Sequence, residues 1–329
     1  FWMSNGTSAA PSWDSSGVRW FDVKDPAYGA VGDGTTDDTT AVAAAITAAN
    51  TGTGGVVYFP PGTYLVSGIT LPLKVTLMGD GINTSILKLK TNSASPLVTI
   101  SGVSTRILDM ELDGNRANQT TPRACVYGTG RQDNLFFHCY AHSGSTGIDV
   151  QSSTGIMALE CVVTDCSVYG EYLTTDSQII GGYVGNNGTS GQGANYNASN
   201  IFVEGWDSRI RNVHVYGTGN TAAHVGIYAN YVNDLTIEGC TLEEHRNQGI
   251  YGAGRANGWL LCGNYFEDNS QAGAASFAAL TFAIAAGEPG SRNIIVANRF
   301  GYQDGTRAAY HSYCIEESIT GTTGTLANT

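Results

Sequence analysis

Two stretches near the start of the chain decide the fold: residues 28–40, YGAVGDGTTDDTT, and residues 54–64, GGVVYFPPGTY. Between them Val42, Ile46 and Ala49 fall three or four residues apart, which predicts one short helix with a single apolar face. The second stretch predicts two strands separated by a turn at its two prolines. A lone helix followed only by strands indicates a cap, because it would cover the open end of a β-stack.

A repeated pattern follows residue 81 and indicates a solenoid. Two series of short apolar runs recur at intervals near one coil of a β-helix, within the range of about 20–50 residues found in solenoids. The first series begins with polar turn residues, at 132–137, 153–158, 233–237 and 292–296. The second series begins with glycine, at 147–150, 170–173, 226–229 and 249–252. Such coils bury their apolar faces against each other, so we expect one elongated all-β core.

The composition limits the partners and cofactors. A net charge of −12 and a pI near 4.8 argue against nucleic acid or an anionic membrane as partner. No apolar run approaches the length of a membrane span. The seven cysteines show no Cys-x-x-Cys spacing, so we interpret them as core thiols rather than zinc ligands. We expect no cofactor or metal, with Ca²⁺ as the alternative, although no loop has the spacing of a calcium loop.

The domain organisation follows from the same repeat. Residues 1–20 are rich in Ser, Gly and Trp without a period, which predicts a linker or the end of an upstream module. Residues 21–329 are predicted to form a single β-helix domain, in which 28–81 supply the N-terminal cap and first coils. The alanine-rich insertion 272–286 predicts a short helix packed on one face.

The cap residues also carry a family resemblance. Residues 28–81 look like the N-terminal cap and first coils of the pectate-lyase-like superfamily of right-handed parallel β-helices. That superfamily contains polysaccharide lyases and hydrolases, alginate C5-epimerases and phage tailspikes. Residues 1–7, FWMSNGT, resemble segments that precede enzymatic modules in phage tail proteins. The resemblance to phage tailspikes and secreted β-helix enzymes implies an extracellular location, either secreted or on a virion tail. The tailspike resemblance also implies a homotrimer.

A second resemblance concerns chemistry. Residues 112–118, LDGNRAN, together with 147–149, GID, are similar to the catalytic module of alginate C5-epimerases. By that comparison Asp149 falls on an active-site aspartate. The family has a histidine two residues later, where this chain has Gln151, and a tyrosine before the glycine, where this chain has Thr146. Without that Tyr/His pair the proton-abstracting groups of the family are not recognisable, so the resemblance implies a shared site position but not the epimerase or lyase reaction.

Acidic residues on neighbouring coils are the candidate catalytic groups. A β-helix aligns outward side chains about 4.8 Å apart, so two carboxylates can reach the separations of about 5–9.5 Å used in glycoside hydrolysis. The candidates lie in two sets, followed by a third cluster that is more typical of a charged turn: Asp149, Glu171 and Asp176; Glu204 and Asp207; and Glu243, Glu244 and His245. Solvated surface acids would give the same sequence pattern.

Aromatic residues accompany these acids. Tyr172, Tyr228 and Tyr251 occupy one position of the second repeat series, and Trp206 lies between Glu204 and Asp207. Such a ladder offers ring faces on which sugars stack, or equally holds successive coils together. The histidines near these runs are interpreted as hydrogen-bonded structural residues.

Three functions remain open on this evidence. The first is hydrolysis of a bacterial surface glycan by an Asp/Glu pair, as in a phage depolymerase. The second is a lyase or C5-epimerase acting on uronic acids, which needs cations to neutralise the substrate carboxylate. All four lysines precede the favoured coils, at Lys24, Lys74, Lys88 and Lys90, so this second function ranks lower. The third is a non-catalytic glycan-binding or structural fibre segment.

Overall fold

The computed structural model describes residues 19–51, 53–189, 198–217, 225–269, 279–288, 290, 292–301 and 315–319. These residues form a β-helix in which each strand pairs in parallel with strands of the neighbouring coils. Three long sheets result, and each full coil passes through sheet A, sheet B and sheet C in turn. The all-β parallel β-helix with a short N-terminal capping helix is therefore confirmed.

The described strands fall into these three sheets. Sheet A contains Trp20–Asp22, Gly55–Phe59, Val75–Gly79, Arg106–Leu108, Leu135–Phe137, Met157–Leu159, Gln178–Ile180, Arg209–Arg211, Thr236–Glu238, Leu260–Cys262 and Ile294–Val296. Sheet B contains Asp33–Asp37, Gly62–Val66, Ser85–Leu89, Glu111–Asp113, Tyr140–His142, Val162–Thr164, Tyr183–Gly185, His214–Tyr216, Thr241–Glu243, Tyr265–Glu267 and Arg299–Gly301. Sheet C contains Ile69–Leu71, Val98–Ile100, Val126–Thr129, Thr146–Gln151, Tyr169–Leu173, Ser199–Trp206, Val225–Asn233, Ile250–Asn257, Leu280–Ile284 and Ile315–Ile319.

Single residues with positive φ turn the chain from one sheet to the next. Between sheets C and A this position is held by aspartate in several coils, including Asp133, Asp176, Asp207 and Asp234. Aspartate tolerates the left-handed conformation because its short side chain makes local hydrogen bonds. The aspartates at these corners therefore have a structural reason to be there.

The cap forms as the sequence predicts. The helix Thr39–Ala49 buries Val42, Ile46 and Ala49 and packs on the first strands of sheets A and C. Asp38 precedes it without making a side-chain cap. Its carboxylate instead accepts hydrogen bonds from the backbone N–H groups of Val31 and Gly32, at 2.7 and 3.1 Å.

The N-terminal end and the alanine-rich insertion lie partly outside the described residues. Residues 1–18 lie outside the described part of the chain, and the first described strand begins at Trp20. The helix predicted for 272–286 is wrong where the structure describes it, because Leu280–Ile284 is a strand of sheet C. No helix among the described residues is long and apolar enough to cross a membrane.

The predicted charged turn at residues 243–245 is divided between two sides of the coil. Glu243 and Glu244 are partly exposed, whereas His245 is fully buried. The two ring nitrogens of His245 lie 2.6 Å from Oδ1 of Asn269 and 3.0 Å from Nδ2 of Asn200. This histidine joins an internal polar ladder that links three coils.

Candidate active site on the outer wall of sheet C

The register of sheet C places Asp149 on its outer wall. Its neighbours Ile148 and Val150 are buried in the core, so the alternation of a strand directs Asp149 outward. Asp149 pairs with Tyr172 of the next coil. In the following coils the same column contains Phe202, Tyr228 and Tyr251.

Three side chains from two coils meet at Asp149. Its Oδ2 accepts hydrogen bonds from the Tyr169 hydroxyl at 3.0 Å, Gln151 Nε2 at 3.2 Å and the Thr146 hydroxyl at 3.3 Å. Gln151 Nε2 also donates to the Tyr169 hydroxyl at 3.2 Å. The other carboxylate oxygen, Oδ1, is buried and has no hydrogen-bond partner among the described residues. One oxygen thus anchors the carboxyl group, while the second is buried without a partner, which is rare for a carboxylate and marks this residue as a functional candidate.

Burial and hydrogen bonding act in opposite directions on this carboxyl group. Desolvation raises the pKa of Asp149 from 3.8 to about 6, although the hydrogen bonds from Tyr169, Gln151 and Thr146 lower it. Desolvation, followed by the charge of Asp149, raises the pKa of Tyr169 above its ordinary value of 10.0. Near neutral pH the site therefore combines an ionised carboxylate with a protonated phenol.

An aromatic ladder extends from this network along the helix axis. Tyr169 and Tyr172 each lie against Phe202, with ring centroids 5.7 and 4.9 Å apart. Phe202 lies 5.3 Å from Tyr228, and Tyr228 stacks on Tyr251 at 5.7 Å. Asp149 and Phe202 are only 4% and 8% exposed, and the neighbouring side chains of sheet C contact both of them.

Glu171 does not join Asp149 on the outer wall. It pairs with Ile148 on one side and Ile201 on the other, and both of those side chains lie in the core. Glu171 is 2% exposed, and burial raises its pKa from 4.5 to about 8. The prediction that Asp149 and Glu171 form a carboxylate pair is therefore wrong, because the register places them on opposite faces of sheet C.

Asp176 and Asp207 occupy corners rather than the sheet itself. Both are exposed and have positive φ, of 55° and 57°. The backbone N–H of Asp176 donates to the Trp206 carbonyl at 2.9 Å, and Trp206 itself is 54% exposed. The structure does not bring these two aspartates into the Asp149 network.

Glu204 is attached to the aromatic ladder. Glu204 is exposed and lies two residues after Phe202 on the same strand. Its carboxylate accepts hydrogen bonds from the hydroxyl of Tyr172 and from Nδ2 of Asn230. It is two coils from Asp149 and two residues further along the strand, a backbone separation of about 12 Å. Glu204 therefore orients Tyr172, the residue directly beside Asp149.

Sequence reasoning missed Tyr169, although it noted Thr146 and Gln151 as departures from the epimerase pattern. Tyr169 pairs with Thr146 across the coil boundary, so a tyrosine one coil later reaches the aspartate. The available signal was the spacing of the two glycine-initiated runs, which aligns residue 169 with residue 146.

Two arginines, Arg116 and Arg123, precede the strand that pairs with the strand of Asp149. Arg123 lies one coil before Asp149, and its carbonyl accepts a hydrogen bond from Ser145 at 2.8 Å. Its Nε is buried without a hydrogen-bond partner among the described residues. Arg116 donates from Nη1 to the hydroxyl of Thr189 at 2.7 Å. In the described parts of the chain no group of three or more His, Cys, Asp or Glu is arranged to hold a metal ion.

The sequence profile of the family described as Rhamnogalacturonase A/epimerase, pectate lyase-like, matches residues 20–275. This range covers most of the chain and includes Asp149 and the aromatic ladder. The chain belongs to this family. The pectate-lyase-like resemblance of the cap is thereby confirmed, and the family is one of polysaccharide-acting β-helix enzymes.

Individual relatives of this pectate-lyase-like protein fall into two groups. The mannuronan C5-epimerase AlgE6 of Azotobacter vinelandii is 42% identical over 113 residues, which is 30% of this chain and 13% of the relative. The A-module of the same epimerase superposes with a TM-score of 0.64 at 20% identity, over 93% of this chain and 98% of the module. The enzymatically active domain of bacteriophage CBA120 tailspike protein 2 gives 0.65 at 15% identity, over 91% of this chain and 45% of the other.

These likenesses differ in what they establish. The structural ones, at 20% and 15% identity, establish the fold. The sequence match covers a small part of the epimerase, so the activity of that whole protein is not transferred by it.

Proposed function

We propose that this protein acts on a uronic-acid polysaccharide bound along the outer wall of sheet C, with Asp149 as the base that removes the proton from C5. The observation that carries this proposal is the divided carboxylate: Oδ2 takes three hydrogen bonds and Oδ1 takes none. A carboxylate with a pKa of about 6 is well matched to proton transfer near neutral pH.

Each member of the network has a role in this reaction. Oδ1 of Asp149, uncovered when the bound sugar displaces the side chains around it, takes the C5 proton, which is acidified by the neighbouring carboxylate of the sugar. Tyr169, protonated and hydrogen-bonded to Oδ2, is the proton donor to the departing O4 if the C4–O bond breaks. Elimination then leaves a C4=C5 double bond. Epimerisation instead needs a proton delivered to the opposite face of C5, for which we propose a water molecule, while Asp149 returns its proton to solvent.

Arg123 supports an anionic substrate in this site. The developing charge on the sugar carboxylate needs a cation, and guanidinium binds carboxylates well. Arg123 precedes the strand that pairs with the strand of Asp149, and we propose that its guanidinium supplies this cation. The similarity to a mannuronan C5-epimerase over 113 residues also supports a uronate polymer.

Hydrolysis is the second candidate, and one observation favours it. Tyr172 connects the column of Asp149 to Glu204, so a sugar stacked on Tyr172 would lie between two carboxylates. Inverting glycosidases hold their two carboxylates about 6.5–9.5 Å apart, whereas the backbones of Asp149 and Glu204 are about 12 Å apart. Hydrolysis by inversion would therefore need both side chains to lean toward each other.

Product analysis separates the candidates. The full chain is incubated with polymannuronate, pectate and a neutral capsular glycan, and the products are followed by ultraviolet absorbance, reducing ends and proton exchange at C5 in D₂O. We expect either an absorbing double bond or deuterium at C5. New reducing ends without absorbance would establish hydrolysis. Binding without any product would favour the third function, a non-catalytic glycan-binding segment.

We further propose that the protein works outside the cell, as the similarity to a tailspike domain supports. The homotrimer stays a prediction, which sedimentation velocity of the full chain tests directly.

A further inference from the structure

The outer face of sheet B carries a second group of aromatic and acidic side chains. Tyr183 pairs with His214 of the next coil, and the two rings meet edge to face at 5.1 Å. Tyr216 lies 6.2 Å from Tyr183 and 6.1 Å from His214. These three residues, with Glu243 and Glu244, are called the sheet-B patch below.

Carboxylates hold the rings of this patch in place. Glu243 Oε1 lies 2.5 Å from Nε2 of His214, and the hydroxyl of Tyr216 donates to Glu244 at 3.1 Å. The side chain of His214 is nevertheless 42% exposed, and that of Glu243 is 19% exposed. The patch is therefore ordered by its own contacts while its ring faces and edges remain accessible.

Gly185 shapes the patch through its missing side chain. A Cβ at this position would lie 2.5 Å from the hydroxyl of Tyr183 and 2.6 Å from two of its ring carbons. The ring of Tyr183 thus lies across Gly185 and presents a flat surface. Gly185 is not among the glycines with positive φ, so its use here reflects the space that the ring needs rather than backbone strain.

The charge of this face selects the kind of ligand. Glu243 and Glu244 belong to the patch, and Glu267 pairs with Glu243 in the next coil. Arg299 lies three coils from His214 and is placed over the ring of Tyr265 at 4.9 Å. An acidic aromatic surface repels polyuronates and suits sugars that are neutral or carry amino groups.

We propose that the sheet-B patch is a non-catalytic binding site for a glycan of neutral or amino sugars. The sugar faces would stack on Tyr183 and Tyr216, while Glu243, Glu244 and His214 would take hydrogen bonds from hydroxyl or ammonium groups. This site is separate from the Asp149 network, which lies on sheet C. It would let the enzyme hold one glycan while acting on another.

Titration calorimetry of the full chain tests this site with three probes: a glucosamine hexasaccharide, cellohexaose and a mannuronate hexasaccharide. We expect the first or second probe to bind, with at least about a tenfold loss of affinity in Tyr183→Ala and a smaller loss in Gly185→Ala, which displaces the same ring. Asp149→Asn serves as the matched control and should leave this binding unchanged. Circular dichroism and thermal melting check that each variant is folded.

Four results would overturn the proposal. The first is that neither the glucosamine nor the cello-oligosaccharide binds with a Kd of about 1 mM or tighter. The second is binding that Asp149→Asn or Tyr172→Ala abolishes while Tyr183→Ala does not, which would assign the glycan to sheet C. The third is mannuronate binding of equal strength at the patch. The fourth is self-association in sedimentation that Tyr183→Ala removes, which would make the patch an interface between copies of the chain.

Discussion

The outer walls of sheets B and C both carry carboxylates beside aromatic rings, but the two walls differ in how completely those carboxylates are hydrogen-bonded. On sheet B, Glu111 contacts His142 at 3.1 Å and accepts a hydrogen bond from the backbone of Asn83 at 3.2 Å. Asp113 on the same strand contacts Lys88 at 2.7 Å and accepts a hydrogen bond from the backbone of Asn115 at 2.7 Å. All four of these carboxylate oxygens have a partner within the protein.

Sheet C leaves oxygens without partners on both of its faces. Oδ1 of Asp149 outside and Oε1 of Glu171 inside are buried and lack hydrogen-bond partners among the described residues. Both groups have raised pKa values because burial disfavours their charged forms. Satisfied carboxylates stabilise a coil, whereas a buried, unsatisfied one on the outer wall is a candidate for chemistry. The difference between the two walls is thus one of pairing rather than composition.

The largest effect should come from Asp149→Asn. The amide keeps the shape of the side chain but cannot take a proton, so we expect activity to fall by about 10²–10⁴-fold, the usual contribution of acid–base catalysis. Initial rates on the polymer that gives product measure this loss. Asp176→Asn, at an exposed corner, is the matched control and should retain activity. Equal activity in both variants would contradict the assignment of Asp149.

Glu171 should make stability depend on pH. Its pKa is 4.5 in the unfolded chain and about 8 in the fold, so the folded state keeps a proton that the unfolded state releases. The free energy of unfolding should therefore fall as pH rises from about 4.5 to about 8, by on the order of 5 kcal/mol in total, and then level off.

Urea unfolding at several pH values measures this effect in the wild type and in Glu171→Gln, which cannot ionise. We expect the pH dependence over that interval to be reduced in the variant. Glu204→Gln, an exposed carboxylate of the same sheet, is the control and should leave the slope unchanged. Asp149, with a pKa of about 6, should keep part of the slope at lower pH, so a slope between about pH 6 and 8 that persists in Glu171→Gln would show that another group is responsible.

Tyr169→Phe should lower activity by about 100-fold and also change its pH dependence. The phenol hydrogen bond stabilises the carboxylate, so its loss raises the pKa of Asp149 further above about 6. The acidic limb of kcat/KM should then move to higher pH. A purely structural role for Tyr169 would reduce the amount of folded protein without moving this limb.

The smallest effect is expected on sheet B. Lys88→Met removes the partner of Asp113, and the side chains of this pair are 34% and 12% exposed. We expect a loss of about 1 kcal/mol in the free energy of unfolding, as for partly exposed ion pairs, and no change in activity. Urea unfolding in low and high salt measures it. A large loss of activity would mean that the sheet B carboxylates take part in the reaction.

Much of this fold could be predicted from the spacing of apolar runs. The glycine-initiated series aligned residues 147–150 with 170–173, and the observed register is the same. That register also puts Glu171 at a position held by isoleucine in other coils, and in the structure its side chain faces the core as those isoleucines do. The predicted pair of Asp149 and Glu171 is wrong because successive side chains of a strand point to opposite faces of the sheet, and only one face is the outer wall.

Other features depended on contacts that spacing does not reveal. Tyr169 reaches Asp149 from the next coil, and the network closes because the strands of sheet C are parallel and in register. The aspartates at 176 and 207 looked like candidate acids, but their left-handed conformation makes them corners. A backbone angle of this kind is set by where each coil must turn.

The sequence by itself determined that the chain is a capped β-helix and which residues share a column, because apolar periodicity and glycine positions fix the strands and their register. Only the tertiary structure decided which carboxylate oxygens are buried without a partner. Burial and pairing depend on the segments that cover each wall and on side chains contributed by neighbouring coils, and these are distant in sequence.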